Sequence, residues 1–213
     1  IYLSGGANVF AIDGKTGDTI WRWEESSADA SSGARCWSNC GRVPSWQGVG
    51  LGAGLVFVSL ASAEVAALSQ ETGEMVWVGT VGSVPRGAGE SVTSAPMYAG
   101  GQVFVGLASG DAGGQGRVVA LDAATGEVQW SFAVIPPPGA FGHDTWPQDS
   151  DIWTIAGGGV WLVGTADADL GMVYFPTGNP VPMFGGEARE GDNLFTASVL
   201  ALDMKTGERR WHY

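Results

Sequence analysis

Short apolar runs such as NVFAI, LVFVSL, EVAAL, QVFVGL and RVVAL follow one another along this chain, each broken by glycine, threonine or aspartate. No window sustains a helical period, so the pattern predicts strands joined by tight turns. Four of the runs open one repeated phrase: AIDGKTGDTIW ending at Trp21, ALSQETGEMVW at Trp77, ALDAATGEVQW at Trp130 and ALDMKTGERRW at Trp211. Each copy predicts a strand, a turn built on Thr-Gly, and a second strand closing on tryptophan. An aspartate starts the turn in three copies, and Ser69 replaces it in the second. Gly17, Gly73, Gly126 and Gly207 can adopt the positive φ that such turns require.

The tryptophans of successive copies are 56, 53 and 81 residues apart, against roughly 40–50 residues for a four-stranded propeller blade. The fold class predicted is therefore all-β: a β-propeller of four-stranded antiparallel blades, with residues 1–213 as one propeller segment of about four blades. A blade cannot bury both faces of its sheet alone, so such a segment is expected to belong to a larger ring. The long excursion before the last copy is where function is to be sought.

Composition narrows the classes of partner. The net charge of -12, with only ten lysines and arginines, argues against nucleic acid and against an anionic membrane face. Thirty-five glycines and few charges suit short strands and many turns. No stretch reaches the roughly 20 apolar residues of a membrane-spanning helix. Cys36 and Cys40 are separated by three residues in RCWSNC. A bridge there closes so small a ring that it contributes only about 2 kcal/mol, so it shapes a site rather than holding the fold, and it implies an oxidising compartment.

Candidate chemistry concentrates in the second half of the chain. SGDAGGQGR (109–117) is too glycine-rich for a strand interior and reads as a loop that brings backbone close to a ligand. IPPPGAFGHDTW begins an ordered insertion, and DADLG (167–171) reads as a hairpin turn. GGGVW, residues 157–161, lets a flat group lie against the backbone, with Trp161 as an aromatic face; the plainer alternative is a core tryptophan beside a glycine bulge. Asn179 and Asp111 offer hard oxygen ligands of the kind calcium prefers, although each is also an ordinary turn residue. Cys36, Cys40, His143 and His212 lack the paired spacing of zinc ligands. There is no nucleophile elbow, P-loop or Cys-x-x-Cys-His segment.

The four repeats resemble the tryptophan-docking motif of the pyrroloquinoline quinone (PQQ) dependent alcohol dehydrogenases, and the likeness continues through TSAP, WPQDSDIWTIAGGGVW, MVYFPTGNPVP and EGDNLFTASVLALDMKTGERRWHY. That resemblance implies an eight-bladed ring, of which this chain is about half, with PQQ and a calcium or lanthanide ion near the axis. It implies that Trp161 is the indole beneath the quinone, Asn179 a metal ligand, and Thr93 a hydroxyl donor to the quinone. Asp111 stands where the family usually has a metal-binding Glu, and Ser109 and Gly110 line the same loop. The family's adjacent cysteines correspond to Cys36 and Cys40, which would cover the quinone. Its cationic contact falls on Arg42 or Gln47, of which Arg42 is favoured because a guanidinium stabilises negative charge on a reduced quinone.

The resemblance implies an enzyme that oxidises an alcohol, sugar or polyol in the periplasm or outside the cell and passes electrons to a cytochrome c or a membrane quinone. The family's general base, an Asp, is expected beyond Tyr213, so no catalytic residue is expected within these residues. The rival reading is a non-catalytic propeller acting as a protein-binding scaffold in the cell envelope. Such a scaffold needs the docking tryptophans but not GGGVW, the TGN segment or the SGD loop.

Overall fold

The computed structural model describes residues 1–5, 7–25, 47–60, 62–82, 90–108, 110 and 113–213. Among these residues fifteen strands form four antiparallel sheets. The first sheet contains β1 (Tyr2–Gly5), β2 (Asn8–Ile12) and β3 (Thr19–Glu24), and the second β4 (Gly50–Gly52), β5 (Leu55–Leu60), β6 (Glu64–Ser69) and β7 (Met75–Thr80). The third contains β8 (Met97–Ala99), β9 (Gln102–Leu107), β10 (Arg117–Asp122) and β11 (Val128–Ala133). The fourth contains β12 (Thr165–Asp167), β13 (Met172–Pro176), β14 (Val199–Asp203) and β15 (Arg209–His212). Where the sequence predicts a single hairpin before Glu25, the structure adds β1, paired to β2 with Tyr2 opposite Ala11. Among the described residues this sheet has three strands, β1-β2-β3.

Each repeated phrase is the hairpin of the last two strands of a sheet, and in the three copies that begin with aspartate its turn is built in the same way. Oδ1 of Asp122 accepts the backbone N–H groups of Ala124 and Thr125, both at 2.9 Å, and Oγ1 of Thr125 accepts the N–H of Glu127 at 3.2 Å. Asp13 and Asp203 do the same in their copies. Ser69 keeps the bond from the N–H of Thr72, at 3.1 Å, but its hydroxyl sits one bond closer to the backbone than the aspartate Oδ1, which by itself accepts both N–H groups in the other copies. The turn glycines do take positive φ, between +71° and +80°.

The strand after each turn is bulged opposite the alanine of the phrase: Ala11, Ala67, Ala120 and Ala201 pair with the tryptophans, and the register shifts at the next residue. Such a bulge puts two residues against one and re-aims the side chain beside it. The indole of Trp77 thereby reaches the third sheet, where Nε1 donates to the carbonyl of Ala123 at 3.1 Å. Trp21 reaches the carbonyl of Gln70 and Trp130 that of Met204. A Cβ placed on Gly73, Gly126 or Gly207 would come within 2.6 Å of the tryptophan ring from the preceding sheet. The glycine is thus required twice, once by its own turn and once by the neighbouring indole. Trp211 packs on Tyr174 of its own sheet and is 46% exposed.

The core lies between sheets rather than inside any one of them. Val56, Val58 and Leu60 of β5 face Val9, Ala11 and Trp21 of the first sheet. Phe57, between them on the same strand, faces Val103, Val105 and Leu107 of the third. Phe104, Val118 and Ala120 in turn meet Val173, Phe175, Leu200 and Leu202 of the fourth. Because sheets two and three are covered on both faces, their central strands read as continuous apolar runs rather than alternating ones. The insertion after β11 is ordered, with 3-10 turns at His143–Thr145 and Ile152–Thr154 and a small core of Ile135, Trp146 and Ala156.

Candidate functional site

The first strands of the three complete sheets lie against one another, β4 beside β8 and β8 beside β12. Glycines permit this approach: a Cβ on Gly50 would collide with the carbonyl of Pro96, and one on Gly52 with the ring of Tyr98. The residues just upstream of these strands therefore meet at one end of the sheets. Gln47 precedes β4, Thr93 precedes β8 and Trp161 precedes β12. Oγ1 of Thr93 donates to the carbonyl of Trp161 at 3.3 Å, and Nε2 of Gln47 donates to the same oxygen at 3.4 Å.

The segment carrying Trp161 is threaded between the third and fourth sheets. On one side, Gly116 N–H donates to the Gly157 carbonyl at 3.0 Å, and Val160 N–H to the Leu107 carbonyl at 2.8 Å. On the other, Gly158 N–H donates to the Asn179 carbonyl at 3.0 Å, and Gly178 N–H to the Gly159 carbonyl at 2.8 Å. The glycines serve close approach of one backbone to another. A Cβ on Gly110 would lie 3.0 Å from the Gly159 nitrogen, and one on Gly157 would lie 2.7 Å from the Asn179 carbonyl oxygen. Gly157 and Gly158 also hold φ of +92° and +69°. The described glycines of the 109–117 loop, expected from composition to approach a ligand, approach the triple-glycine segment in the structure.

Trp161 is no core residue. Val160 before it is fully buried, whereas the indole is 51% exposed. A Cβ on Gly178 would lie 3.4 Å from Nε1 of Trp161, which puts the ring beside the Gly178-Asn179 peptide. Nδ2 of Asn179 donates to the Pro180 carbonyl at 3.2 Å, so the oxygen Oδ1 is what this side chain offers a ligand. The structure accordingly brings Thr93, Gly110, Trp161 and Asn179 into one neighbourhood. Arg42, Cys36, Cys40, Ser109 and Asp111 lie outside the described residues.

Gln47, the alternative to Arg42 in the sequence reading, enters this neighbourhood because it stands before β4 as Thr93 stands before β8. The histidines are engaged elsewhere. Nδ1 of His143 donates to the carbonyl of Pro136 at 2.9 Å, since a carbonyl can only accept. Nδ1 of His212 faces Nη1 of Arg209 at 3.0 Å; burial first, and the Arg209 charge second, push the pKa of His212 down. Among the described residues no three His, Cys, Asp or Glu side chains come together as a metal site, which leaves Asn179 as the described member of the predicted ligand pair.

The segment thus presents a half-exposed indole on a pinned, glycine-lined backbone where the first strands of the sheets begin. The chain matches, over residues 1–213, the family described as PQQ: Glucose/ethanol/alcohol dehydrogenase, beta-propeller domain, and it belongs to that family of quinoprotein dehydrogenases. It is 31% identical to the quinoprotein alcohol dehydrogenase PedH of Pseudomonas putida, over 100% of this chain and 37% of the relative. It superposes on the crystal structure of quinohemoprotein alcohol dehydrogenase from Comamonas testosteroni with a TM-score of 0.85 at 32% identity, covering 100% of this chain and 33% of that one. A europium-containing methanol dehydrogenase gives a TM-score of 0.83 at 26% identity, covering 100% of this chain and 39% of that one. The chain thus spans between a third and two fifths of the length of these relatives.

Proposed function

We propose that these residues form part of the cofactor cradle of a PQQ-dependent dehydrogenase that oxidises an alcohol, sugar or polyol. The observation that carries this reading is the half-exposed indole of Trp161, held by its backbone rather than by core packing, with the side-chain oxygen of Asn179 on the adjacent segment. Leaving so large an apolar surface in water forgoes roughly 2 kcal/mol of burial, which a flat ligand stacked on the ring would recover. The glycines on either side keep side chains from filling that space.

When bound, the quinone supplies a two-electron acceptor and the ion a Lewis acid that polarises its carbonyl. Trp161 orients the ligand plane; Thr93, expected as a hydroxyl donor to the quinone, instead directs its O–H to the Trp161 carbonyl at 3.3 Å, and its oxygen is proposed to accept from the ligand. Asn179, with Asp111, would hold the ion, calcium or a lanthanide, through hard oxygen donors. Ser109 and Gly110 would line the same loop, and Cys36 and Cys40 would cover the quinone. The base that takes the hydroxyl proton of the substrate is assigned to an Asp outside these 213 residues, with electrons leaving to a cytochrome c or a membrane quinone. The compartment proposed is the periplasm or cell exterior; among the described residues no helix is long and apolar enough to cross a membrane.

The test is titration of PQQ, with calcium or a lanthanide ion, into the full-length protein and its Trp161→Ala and Asn179→Ala variants. Loss of metal-dependent quinone binding in both variants, with melting unchanged, is expected. Binding equal to that of the parent protein in both would refute the assignment.

A further inference from the structure

We propose that Gln47 is a positioning residue for the Trp161 platform, acting with Thr93 as a two-sided clamp on the Trp161 carbonyl. The inference rests on the reading of Trp161 as the surface on which the quinone stacks. Its grounds are geometric. Four backbone bonds fix residues 157–160, the last of them from Val160 N–H to Leu107. Beyond Val160 the chain leaves the shelter of the third and fourth sheets, and the Trp161 carbonyl receives two side-chain donors instead.

Those donors approach from different blades. Thr93 sits before β8 of the third sheet, and Gln47, 114 residues away from Trp161 in sequence, sits before β4 of the second. A single donor restrains one direction, whereas two donors from separate sheets fix the orientation of the peptide plane, because a carbonyl oxygen has two lone pairs. A half-exposed ring is less confined by its surroundings than a core one, so the orientation of its backbone bears directly on how it meets a flat ligand. Gln47 donates through an amide N–H that no titration removes, and its reach spans from the second sheet to the segment leading into the fourth.

Isosteric replacement separates this role from bulk structure. Gln47→Glu preserves shape but removes the donor and sets a carboxylate against a carbonyl, whereas Gln47→Arg keeps an N–H donor at that place. The full-length protein is labelled with 5-fluorotryptophan, and the Trp161 resonance is assigned by its loss in Trp161→Phe. PQQ affinity in the presence of calcium is measured alongside by equilibrium dialysis. In Gln47→Glu the Trp161 fluorine line is expected to shift and broaden while the lines of Trp21, Trp77 and Trp130 stay in place, and PQQ affinity is expected to fall about fivefold, the equivalent of one ordinary hydrogen bond. Gln47→Arg is expected to restore both. An unchanged Trp161 line in Gln47→Glu would overturn the clamp whether or not quinone binds. A shifted line with unaltered PQQ affinity would overturn its positioning role. Failure of the parent protein to bind PQQ would instead remove the cofactor reading, with the fluorine line still deciding whether the clamp exists.

Discussion

Gly126→Ala should destabilise the protein far more than its turn geometry alone explains. The residue has a φ of +76°, and a Cβ there would lie 2.5 Å from Cε3, 2.8 Å from Cδ2 and 3.0 Å from Cζ3 of Trp77. To regain ordinary van der Waals contact the indole must withdraw by about 1 Å, which also stretches the 3.1 Å bond from its Nε1 to the Ala123 carbonyl. Left-handed backbone costs an alanine about 1–2 kcal/mol, and overpacking of this kind adds about 1–3 kcal/mol. Gly54 supplies the control: its φ is +75° and nothing lies within 4 Å of a Cβ there. Gly54→Ala should therefore show the backbone strain alone. Thermal or urea denaturation of the full chain, followed by tryptophan fluorescence, compares the two variants. In a Trp77→Leu background the excess cost of Gly126→Ala should largely vanish, giving a coupling of about 1–3 kcal/mol. Equal destabilisation by Gly54→Ala and Gly126→Ala, or an excess that persists without Trp77, would refute the double role assigned to the repeat glycine.

Two further outcomes follow from the turns. Ser69→Asp should stabilise the second repeat by about 0.5–1 kcal/mol, by recovering the second backbone N–H bond that Asp13, Asp122 and Asp203 accept; Glu71 and Glu74 beside it offset part of the gain, so the effect on urea denaturation should grow with salt. The Asp203 carboxyl is held at about 2, first by the Arg210 side chain and then by the Thr206 and Lys205 N–H groups. A lowered folded pKa contributes stability that is complete above the ordinary carboxylate range and is lost as pH falls from about 4 towards 2. Arg210→Ala should therefore narrow the stability difference between neutral and acid pH, and an unchanged acid limb in denaturation curves would refute the contribution of this pair.

The sheet hairpins, their Thr-Gly turns and the spacing of the blades were legible in the sequence, because each depends on residues only a few positions apart. An aspartate caps N–H groups two and three residues ahead, and a glycine accepts positive φ, whatever the rest of the chain does. The alternation of faces in LVFVSL was not legible, since both of its faces are buried and it shows no polar side. The bulges beside Ala11, Ala67, Ala120 and Ala201 were equally hidden, as nothing in the repeated phrase distinguishes a bulged pairing from a regular one.

At the candidate site, Trp161 and Asn179 stood out by residue type beside glycine, but the sequence left open whether that tryptophan was core or platform. Only the stacking of sheets excluded the core, by burying Val160 and leaving the indole half exposed. The same stacking set the second demand on Gly73, Gly126 and Gly207, whose partners lie on the preceding sheet. It also brought Gln47 and Thr93 to one carbonyl across 114 and 68 residues of chain. Local turn chemistry is written in neighbouring residues; convergence near the axis depends on how far each inner strand can approach the next, and that distance exists only once the sheets are packed.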